Sequence, residues 1–583
     1  MSKKLDKVDV VVVGTGFAGG IPSAELAKAG YKVVGLERGK EQNHSDFIGS
    51  KDELRYASRK GMMQDNSIET LTSRSEIGEE AFPIRTQDEV MVGTDVGGNS
   101  VHWSGVSKRF FGIDFEIRSK IIERYGEDKI PEDMFLQDWG ITYDEMEKYY
   151  DKFEKTVGTS GEPDPLGEVR SSSYPTAPTV ETPGIRLFKE SAETLGYHPY
   201  QLPSGNITEH YENPDGQTIN ACMYCSFCEF YGCDFGAKSD PVATVIPTAL
   251  ETDNYELRTN AHARRIIYDG KKAKGVLYVD LKTGIEYEQP AEVVVLAGYV
   301  FTNNRLLMLS EIGEQYDPET KTGVIGKNSN GTNTAGGVRG FFDEQKFNLA
   351  MGAGALGAGF SDLTSEYIDN TDLDFIGGGD VEFRQKGSGP IATNYVPKGT
   401  PSWGEEFKEQ SLFYANRNLS ISFSHPSYGW SFNYMDLDPN YTDAFHDPLL
   451  RVTHQITEQD KNVAKYGIEK CAEIMEEMGA DIIDKDEVPE KFNHNYGPAT
   501  AGGVVMGDDP ETSAINNFSQ MWDAENLFVI GASALPHRPP QATVTVGAMA
   551  YRAAEGIEKY LKDDGGLLVQ AKNNKEVAHV NDK

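Results

Sequence analysis

The stretch VDVVVVGTGFAGG at residues 8–20 constrains the fold of this chain more than any other part of the sequence. Its run of valines at 10–13 is typical of a strand that is buried on both faces of a parallel sheet. Gly14, Gly16 and Gly19 follow with the spacing GxGxxG. In this motif the first glycine allows a tight turn, the second lets the backbone approach a pyrophosphate, and the third lets the next helix pack against the strand. The stretch therefore predicts a dinucleotide site.

The residues after the glycines complete this pattern. The sequence SAELAKAG at 23–30 predicts a helix whose positive N-terminal end faces the phosphates. A second apolar strand follows at 31–36 and ends in Glu37, about twenty residues beyond the glycines, where a carboxylate accepts hydrogen bonds from an adenosine ribose. Because strand, helix, second strand and acid occur in this order, we interpret the motif as part of an α/β, Rossmann-like domain rather than as a glycine-rich structural turn.

The charge of the chain limits its partners. It has 56 basic and 91 acidic residues among 583, a net charge of −35, which argues against nucleic acid and against an anionic membrane surface. No window approaches 18 continuous apolar residues, so no membrane-spanning helix is predicted. The N-terminus, MSKKLDK, lacks the apolar core of a signal peptide. We therefore expect a cytoplasmic protein, and the sequence leaves open an export together with a partner that carries a signal.

A second glycine-rich loop, VGTDVGGNSVHWSG at 92–105, carries the next group of candidate residues. Its glycines, Gly98 among them, imply that the backbone approaches a ligand. Asn99, His102 and Trp103 follow in the same loop, and His102 adds a nucleophilic imidazole. Taken alone, such a histidine is more often structural. Next to a dinucleotide site it becomes a candidate for contact with a flavin.

Four of the five cysteines lie close together within residues 220–240. Cys222, Cys225, Cys228 and Cys233 follow the spacing C-x2-C-x2-C-x4-C. Disulfides are rare in a chain without a secretory signal, and consecutive x2 spacings let thiolates converge on one centre, as in iron–sulfur clusters. A zinc site would more often have two separated pairs, and zinc or unligated thiols are the alternatives. The fifth cysteine, Cys471, lies in a predicted helix and is interpreted as a small buried apolar residue.

The remaining pattern predicts two interleaved domains. Strand-like stretches between 256 and 310 return to the parallel sheet, whereas the glycine- and aromatic-rich part after 326 predicts a second, α+β domain on an antiparallel sheet that covers the cofactor. A strand, a turn at Gly531 and a helix then return to the first domain. The predicted parts are a discontinuous nucleotide-binding domain at 1–325 with the cysteine-rich segment at about 218–240, a substrate domain at 326–492, the return at 493–562 and a polar tail at 563–583.

Together these motifs resemble the glucose-methanol-choline (GMC) oxidoreductases, in the branch of gluconate 2-dehydrogenase flavoprotein subunits and related sugar dehydrogenases. The resemblance includes the N-terminal glycines, the GGNSVHW loop, the segment that ends in GCDFGAKS, and the closure from NLFVIGASALP to VTVGAMAYRAAE. It implies FAD rather than NAD, with Glu37 at the adenosine half and Gly531 and Ala532 near the isoalloxazine half. Thr543 matches the threonine of the family's Asn-Pro-Thr triplet. In related pyranose oxidases the histidine of a similar loop is bonded covalently to the flavin, so His102 is a candidate for the same link.

The resemblance also implies the chemistry, and here the sequence departs from the family. Family members oxidise a sugar or polyol hydroxyl while a histidine takes the hydroxyl proton and a hydride passes to flavin N5. Ala499 and Gln541 occupy the positions where this histidine and a partner asparagine are expected, and neither can act as a base. His494 and His537 are the candidate replacements, and His537 is favoured because it directly follows the GASALP turn. An acidic substrate or another oxidation that needs no histidine, or a loss of catalysis, would also explain the change.

The sequence therefore predicts an FAD-dependent dehydrogenase for a small-molecule sugar, sugar acid or polyol-like hydroxyl donor. Its electrons would leave through an iron–sulfur cluster of the 3Fe–4S or 4Fe–4S type to a small partner subunit, a quinone or a cytochrome. Two alternatives stand beside this function. One is an oxygen-using flavin oxidase of a glycoside or alcohol in which the cysteines hold zinc. The other is an electron-transfer flavoprotein subunit that lacks the usual base.

Overall fold

The first strand lies inside a parallel sheet in a computed structural model, which describes residues 2–47, 63–85, 92–331, 336–387, 394–494, 496 and 499–572. Val10, Val11 and Val12 have no accessible surface, as expected for a strand covered on both faces. The parallel strands are, in spatial order, Tyr255–Arg258, Val33–Leu36, Val8–Val13, Glu286–Leu296 and Leu527–Val529. The predicted α/β, Rossmann-like fold is confirmed.

An antiparallel meander extends from this sheet. Its strands are Ala261–Tyr268, Ala273–Asp280 and the first half of Glu286–Leu296. The second half of that last strand pairs in parallel with the first strand of the chain, so one long strand belongs to both sheets. The short strand Lys3–Lys4 pairs with the same strand.

The first helix, Phe17–Lys28, begins earlier than the sequence predicts because it starts directly after the glycine turn. Gly14 has φ +95°, and a Cβ there would collide with the carbonyl oxygen of Ala297. A Cβ at Gly19 would likewise collide with the carbonyl oxygen of Gly14. These two glycines therefore allow the helix, the turn and the neighbouring strand to pack at their observed distance.

Replacing Gly14 with alanine is expected to lower the free energy of unfolding by about 3 kcal/mol, because the new methyl group adds a clash to an unfavourable backbone angle. Gly78→Ala is the matched control. Gly78 has the same φ of +95° but no atom within 4 Å of a Cβ, so only about 1 kcal/mol should be lost. Urea denaturation of both variants measures the difference, and equal losses would show that the Gly14 turn relaxes around the methyl group.

A second sheet is antiparallel, as predicted. Its strands in spatial order are Ile482–Lys485, Gly336–Phe341, Asn418–Ser424, Asp380–Arg384, Gly357–Phe360 and Tyr200–Gln201. The helix Glu458–Glu477 packs on this sheet and buries Cys471 completely, as the sequence predicts. The edge strand Tyr200–Gln201 comes from the first half of the chain, so the segment assigned to the nucleotide-binding domain also contributes to this sheet. The predicted domain boundaries themselves stay predictions.

A third sheet joins distant parts of the chain. Leu71–Arg74 pairs in parallel with Pro448–Thr453, which also pairs with Tyr434–Thr442, and Phe82–Pro83 forms the other edge. Three two-stranded pairs are Met134–Phe135 with Gly429–Trp430, Tyr211–Glu212 with Thr218–Ile219, and Lys327–Asn330 with Ala501–Gly503.

The other described helices lie around these sheets. They are Gly112–Phe115, Ile117–Tyr125, Tyr143–Val157, Pro183–Thr194, Val245–Leu250, Val300–Leu309, Glu405–Tyr414 and Thr543–Lys562, with 3₁₀ turns at His44–Asp46, Gly98–Ser100, Glu127–Lys129 and Ala532–Ala534. None of the helices in the described ranges combines the length and the apolar character needed to cross a membrane.

Candidate active site

A cavity of about 370 Å³ opens at the ends of the parallel strands, beside the glycine turn. Its wall brings together segments that are far apart in the sequence. The predicted cofactor-binding residues on this wall are Gly14, Gly16, Glu37, Gly98, Asn99, His102, Trp103, Gly531, Ala532 and Thr543. Gly19 is not on the wall, because it mediates the contact between helix and turn described above.

The carboxylate of Glu37 is fixed at one side of the cavity. One oxygen accepts hydrogen bonds from the Thr15 backbone N–H at 3.2 Å and the Thr15 hydroxyl at 2.7 Å. The other oxygen accepts from the Gly39 N–H at 3.1 Å. Burial raises the pKa of Glu37, whereas these donors favour the charged form. The side chain is thus held as an acceptor at the end of its strand, where the sequence predicts it.

The start of the first helix also faces the cavity. Gly16 is its N-terminal cap, and no side chain caps the helix from that position. The hydroxyl of Ser100, in the second glycine-rich loop, accepts a hydrogen bond from the Phe17 N–H at 3.2 Å. Free N–H groups at a helix N-terminus, together with the helix dipole, form a binding site for an anionic group.

His102 lies on the cavity wall with only 3% of its surface exposed. Burial and the charge of nearby Lys238 lower the pKa of His102 to about 3, so the ring is neutral at ordinary pH. Its Nε2 atom has no hydrogen-bond partner in the described part of the chain. The next residue, Trp103, is held by a hydrogen bond from its Nε1 to the Ser239 carbonyl at 2.8 Å. A neutral imidazole nitrogen is therefore available beside the cavity.

Ala499 and Gln541, the residues at the family's two expected catalytic positions, both line the cavity. Tyr299, Thr500 and Arg538 lie on the same wall. The alanine and the amide offer no base, in agreement with the sequence analysis. The arginine was not predicted from the sequence.

His537 and His494, the two predicted catalytic bases, do not line the cavity. His537 is fully buried, and its Nδ1 accepts a hydrogen bond from Trp139 Nε1 at 3.3 Å. The other ring nitrogen, Nε2, lies 4.0 Å from an Asp114 oxygen and has no hydrogen-bond partner among the described residues. The Nδ1 of His494 lies 2.6 Å from the Ser73 hydroxyl. Their catalytic role stays a prediction.

The structure brings a hydrogen-bond donor to at least three of the four clustered cysteine sulfurs. Cys222 Sγ accepts from the Tyr224 N–H at 3.4 Å and Cys233 Sγ from the Ala237 N–H at 3.3 Å. Cys228 Sγ accepts from the side-chain amide of buried Asn206 at 3.2 Å. Left-handed backbone at Tyr224, Ser226 and Phe230 folds the segment around these sulfurs. N–H donors of this kind stabilise thiolates.

The four thiols do not have the spacing of a single zinc ion. No three of their sulfurs, all within the described residues, lie within 4.8 Å of one another. A tetrahedral zinc with Zn–S bonds of about 2.3 Å would hold sulfurs about 3.8 Å apart. Burial, together with the neighbouring thiols, raises the pKa of Cys222 to about 12. The Cys222 thiol therefore needs a positive partner to ionise.

The cysteine segment is joined directly to the cavity. Glu229 and Phe230, which follow Cys228, lie on the cavity wall. The Phe230 N–H donates a hydrogen bond to the His102 carbonyl at 2.8 Å. The fully buried Lys238 Nζ donates to the carbonyls of Trp103, Cys228 and Tyr231 at 2.8, 2.5 and 2.7 Å. The segment and the histidine loop thus form one packed unit.

A buried cluster that the sequence did not indicate lies near the cavity. The potential ligand atoms of Glu69, His262 and Asp443 lie within 4.8 Å of one another. Arg305 binds both carboxylates, at 2.6 Å to Glu69 and 2.7 Å to Asp443. Because the guanidinium already supplies the positive charge, we interpret this cluster as a structural ion pair rather than a metal site.

The comparisons with known proteins agree with this geometry. Two models of one family, described as GMC oxidoreductase, match residues 137–331 and 431–551. The gluconate 2-dehydrogenase flavoprotein of Pantoea cypripedii is 36% identical over a 605-residue alignment, which covers 97% of this chain and 96% of that protein. The chain is a GMC oxidoreductase. The resemblance inferred from the motifs is thereby confirmed, and the enzyme acts on CH–OH donors.

Other relatives of this GMC oxidoreductase are more distant. The 2-methyl-1,2-propanediol dehydrogenase of Mycolicibacterium austroafricanum is 27% identical, with 97% of each chain covered. The fructose dehydrogenase large subunit of Gluconobacter japonicus is 23% identical, with 96% of this chain and 100% of that protein covered. Among solved structures, formate oxidase from Aspergillus oryzae RIB40 matches with a TM-score of 0.61 at 14% identity, over 96% of this chain and 99% of that chain. This last match shows the fold alone.

The GMC family binds FAD, and the wall of the cavity suits this cofactor. The helix start at Gly16, which has no side chain of its own to cap the helix, offers backbone N–H donors to a pyrophosphate. A side chain at Gly14 or Gly19 would collide with the backbone of the turn, which must stay tight for a pyrophosphate to come close. Glu37 presents fixed acceptors for ribose hydroxyls.

Proposed function

We propose that this GMC oxidoreductase is an FAD-dependent dehydrogenase of a sugar, sugar acid or polyol-like donor whose electrons leave through an iron–sulfur cluster on the four clustered cysteines. The observation that carries this proposal is the direct connection between the cysteine segment and the cavity wall. Cys228 is followed immediately by two wall residues, and the Phe230 N–H binds the His102 carbonyl. Electrons would therefore have only a short path from a flavin in the cavity to a cluster on the cysteines.

The protein's own residues would hold and orient the reactants. FAD, when bound, accepts a hydride from the donor carbon. Gly16 and the following helix start would bind its phosphates, and Glu37 its ribose. The donor's hydroxyl proton requires a base, for which His537 and His494 remain the candidates. Either ring would have to move to reach the cavity, and His537 would have to give up the hydrogen bond from Trp139.

One observation supports a polynuclear cluster, of the 3Fe–4S or 4Fe–4S type, over zinc. Among the described residues no three of the sulfurs lie within 4.8 Å of one another, whereas a single zinc ion would hold them about 3.8 Å apart. The N–H groups that donate to three of the sulfurs suit a thiolate bound to either metal. A cluster would pass single electrons to a partner, and one relative is named as a large subunit, which supports a small partner subunit. A quinone or a cytochrome would serve as the final acceptor. Zinc in an oxygen-using oxidase remains the second candidate.

The test is an anaerobic absorbance spectrum of the purified protein with iron and acid-labile sulfide analysis, before and after addition of D-gluconate, D-fructose or D-glucitol. Flavin bands that bleach with one of these donors, together with iron and sulfide, are the expected result. Flavin without iron, and peroxide formation in air, would replace the proposal by the oxidase. Iron and flavin without bleaching by any hydroxyl donor would favour an electron-transfer subunit.

We further propose that His102 bonds covalently to the flavin, because a neutral ring nitrogen without a partner among the described residues lies beside the cavity. The new bond would replace a C–H bond of the flavin, with the proton lost and the two electrons passed on to the enzyme's electron acceptor. After acid precipitation the yellow colour is expected to stay with the wild-type protein and to enter the supernatant for His102→Asn. His262→Asn, which removes another histidine from the cavity wall, is the control and should keep the colour in the pellet. Colour released from the wild-type protein would contradict the covalent link.

A further inference from the structure

Arg538 is a charged residue of the cavity wall whose side chain has no partner among the residues that the structure describes. Its guanidinium makes no hydrogen bond or ion pair with any residue in the described ranges. Two other charged residues of the wall do form ion pairs within the protein. Arg38 pairs with Glu69 at 3.5 Å, and Glu229 pairs with Arg384 at 3.4 Å. A wall cation without a counter-charge indicates that a ligand supplies one.

The guanidinium of Arg538 is enclosed by protein and yet accessible. Burial lowers its pKa to about 10, so the group remains charged at neutral pH. The side chain nevertheless keeps part of its accessible surface, as expected for a group that faces an internal cavity. An arginine offers five N–H donors in a planar fork, and leaving such a group unpaired away from bulk water is costly. A planar anion of matching geometry, such as a carboxylate, would satisfy it.

The position of Arg538 associates it with the donor rather than with the phosphates of the cofactor. It shares the cavity wall with Ala499 and Gln541, the two positions where the family has catalytic residues. Its backbone is fixed by two hydrogen bonds with Ser427, at 2.8 and 2.9 Å, from the part of the chain predicted to form the substrate domain. The helix start at Gly16, where a pyrophosphate would bind, brings its own N–H donors and does not need this arginine.

We propose that Arg538 binds the carboxylate of the donor and thereby selects hydroxy acids over neutral sugars and polyols. This proposal rests on the proposed dehydrogenase function and specifies its substrate class. The net charge of −35 repels anions at long range, so an acidic donor needs a local cation in order to bind. The unpaired guanidinium provides that cation inside the cavity.

The test compares D-gluconate with D-glucitol, because gluconate has a carboxylate at one end where glucitol has a hydroxymethyl group, and the two are otherwise the same. Arg538→Gln is expected to lower kcat/KM for gluconate about 100-fold and to change that for glucitol by no more than about threefold. Arg538→Lys should retain part of the preference, because a lysine keeps the charge but not the planar fork. Arg186→Gln is the control, because it also removes one positive charge, but an exposed one that pairs with Glu181 on the surface. It should leave the ratio of kcat/KM for gluconate to kcat/KM for glucitol unchanged.

Two outcomes would overturn the proposal. Equal losses for both donors, or loss of FAD from Arg538→Gln, would show that Arg538 serves the cofactor. If neither donor bleaches the flavin, the proposed function fails for these donors, and calorimetric binding of gluconate to the holoenzyme decides the role of Arg538 separately. A dissociation constant for gluconate about 10-fold or more higher in Arg538→Gln than in the wild-type protein would then support the proposed role of Arg538. Equal dissociation constants would overturn it.

Discussion

Replacing Lys238 with methionine is expected to lower the free energy of unfolding by about 3 kcal/mol, because three carbonyl oxygens inside the packed loops would each lose the ammonium as a hydrogen-bond donor. The wild-type side chain has no accessible surface, and its Nζ donates to the carbonyls of Trp103, Cys228 and Tyr231. Burial lowers the pKa of Lys238, but a neutral amine has only two N–H bonds. Because three carbonyl oxygens each accept a hydrogen bond from Nζ, Lys238 must carry its charged ammonium group.

The same substitution should loosen the connection between the cysteine segment and the histidine loop. Denaturant unfolding measures the loss of stability, and limited proteolysis near residues 228–238 measures the local opening. Lys274→Met is the matched control, because Lys274 is half exposed and pairs with Asp269 at the surface. It should change stability by about 0.5 kcal/mol or less. A loss below about 1 kcal/mol for Lys238→Met would mean that water replaces the ammonium.

Replacing Cys228 with serine is expected to remove most of the bound iron and acid-labile sulfide, because a buried thiolate ligand is replaced by a poorly ionised hydroxyl. Reduction of a one-electron acceptor should fall about 100-fold, whereas reduction of the flavin by the donor should stay within about threefold of the wild-type rate. Anaerobic stopped-flow measurements separate these two steps.

Cys471→Ala is the matched control for this experiment. Cys471 is buried in the same hydrophobic core as Cys228, but it lies outside the clustered segment. Its replacement should cost some stability through lost packing and leave the iron content unchanged. Unchanged iron in Cys228→Ser, or equal iron loss in both variants, would contradict the assignment of the four cysteines.

Local pattern was sufficient to predict the nucleotide-binding part of the site. The strand at Val8–Val13, the glycines and Glu37 lie within one continuous stretch, and their roles follow from spacing alone. The spacing of the four cysteines is equally local, and their role as metal ligands stays a prediction. The fold class was predictable because each strand shows either a continuous run of apolar residues or an alternation of apolar and polar residues.

The donor side of the cavity was not predictable, because it is built from distant segments. His537 was favoured for its closeness to the GASALP turn, yet its neighbour Arg538, whose backbone pairs with Ser427, is the residue on the wall. Nothing in the sequence around Leu71–Arg74 indicates its pairing with Pro448–Thr453. The role of Lys238 depends on three carbonyls that only the folded loops bring together.

The strand Leu527–Val529 completes the parallel sheet by pairing with Glu286–Leu296, far earlier in the chain. During synthesis that earlier strand emerges from the ribosome with one edge open, and it keeps this open edge until nearly the entire polypeptide has been made. Exposed strand edges promote aggregation, and sheets of high contact order form slowly. Because the wall residues Gly531, Ala532 and Thr543 follow this strand in the sequence, we expect the cavity to be complete only late in synthesis. A nascent chain that stops before residue 527 would depend on chaperones rather than on its own sheet.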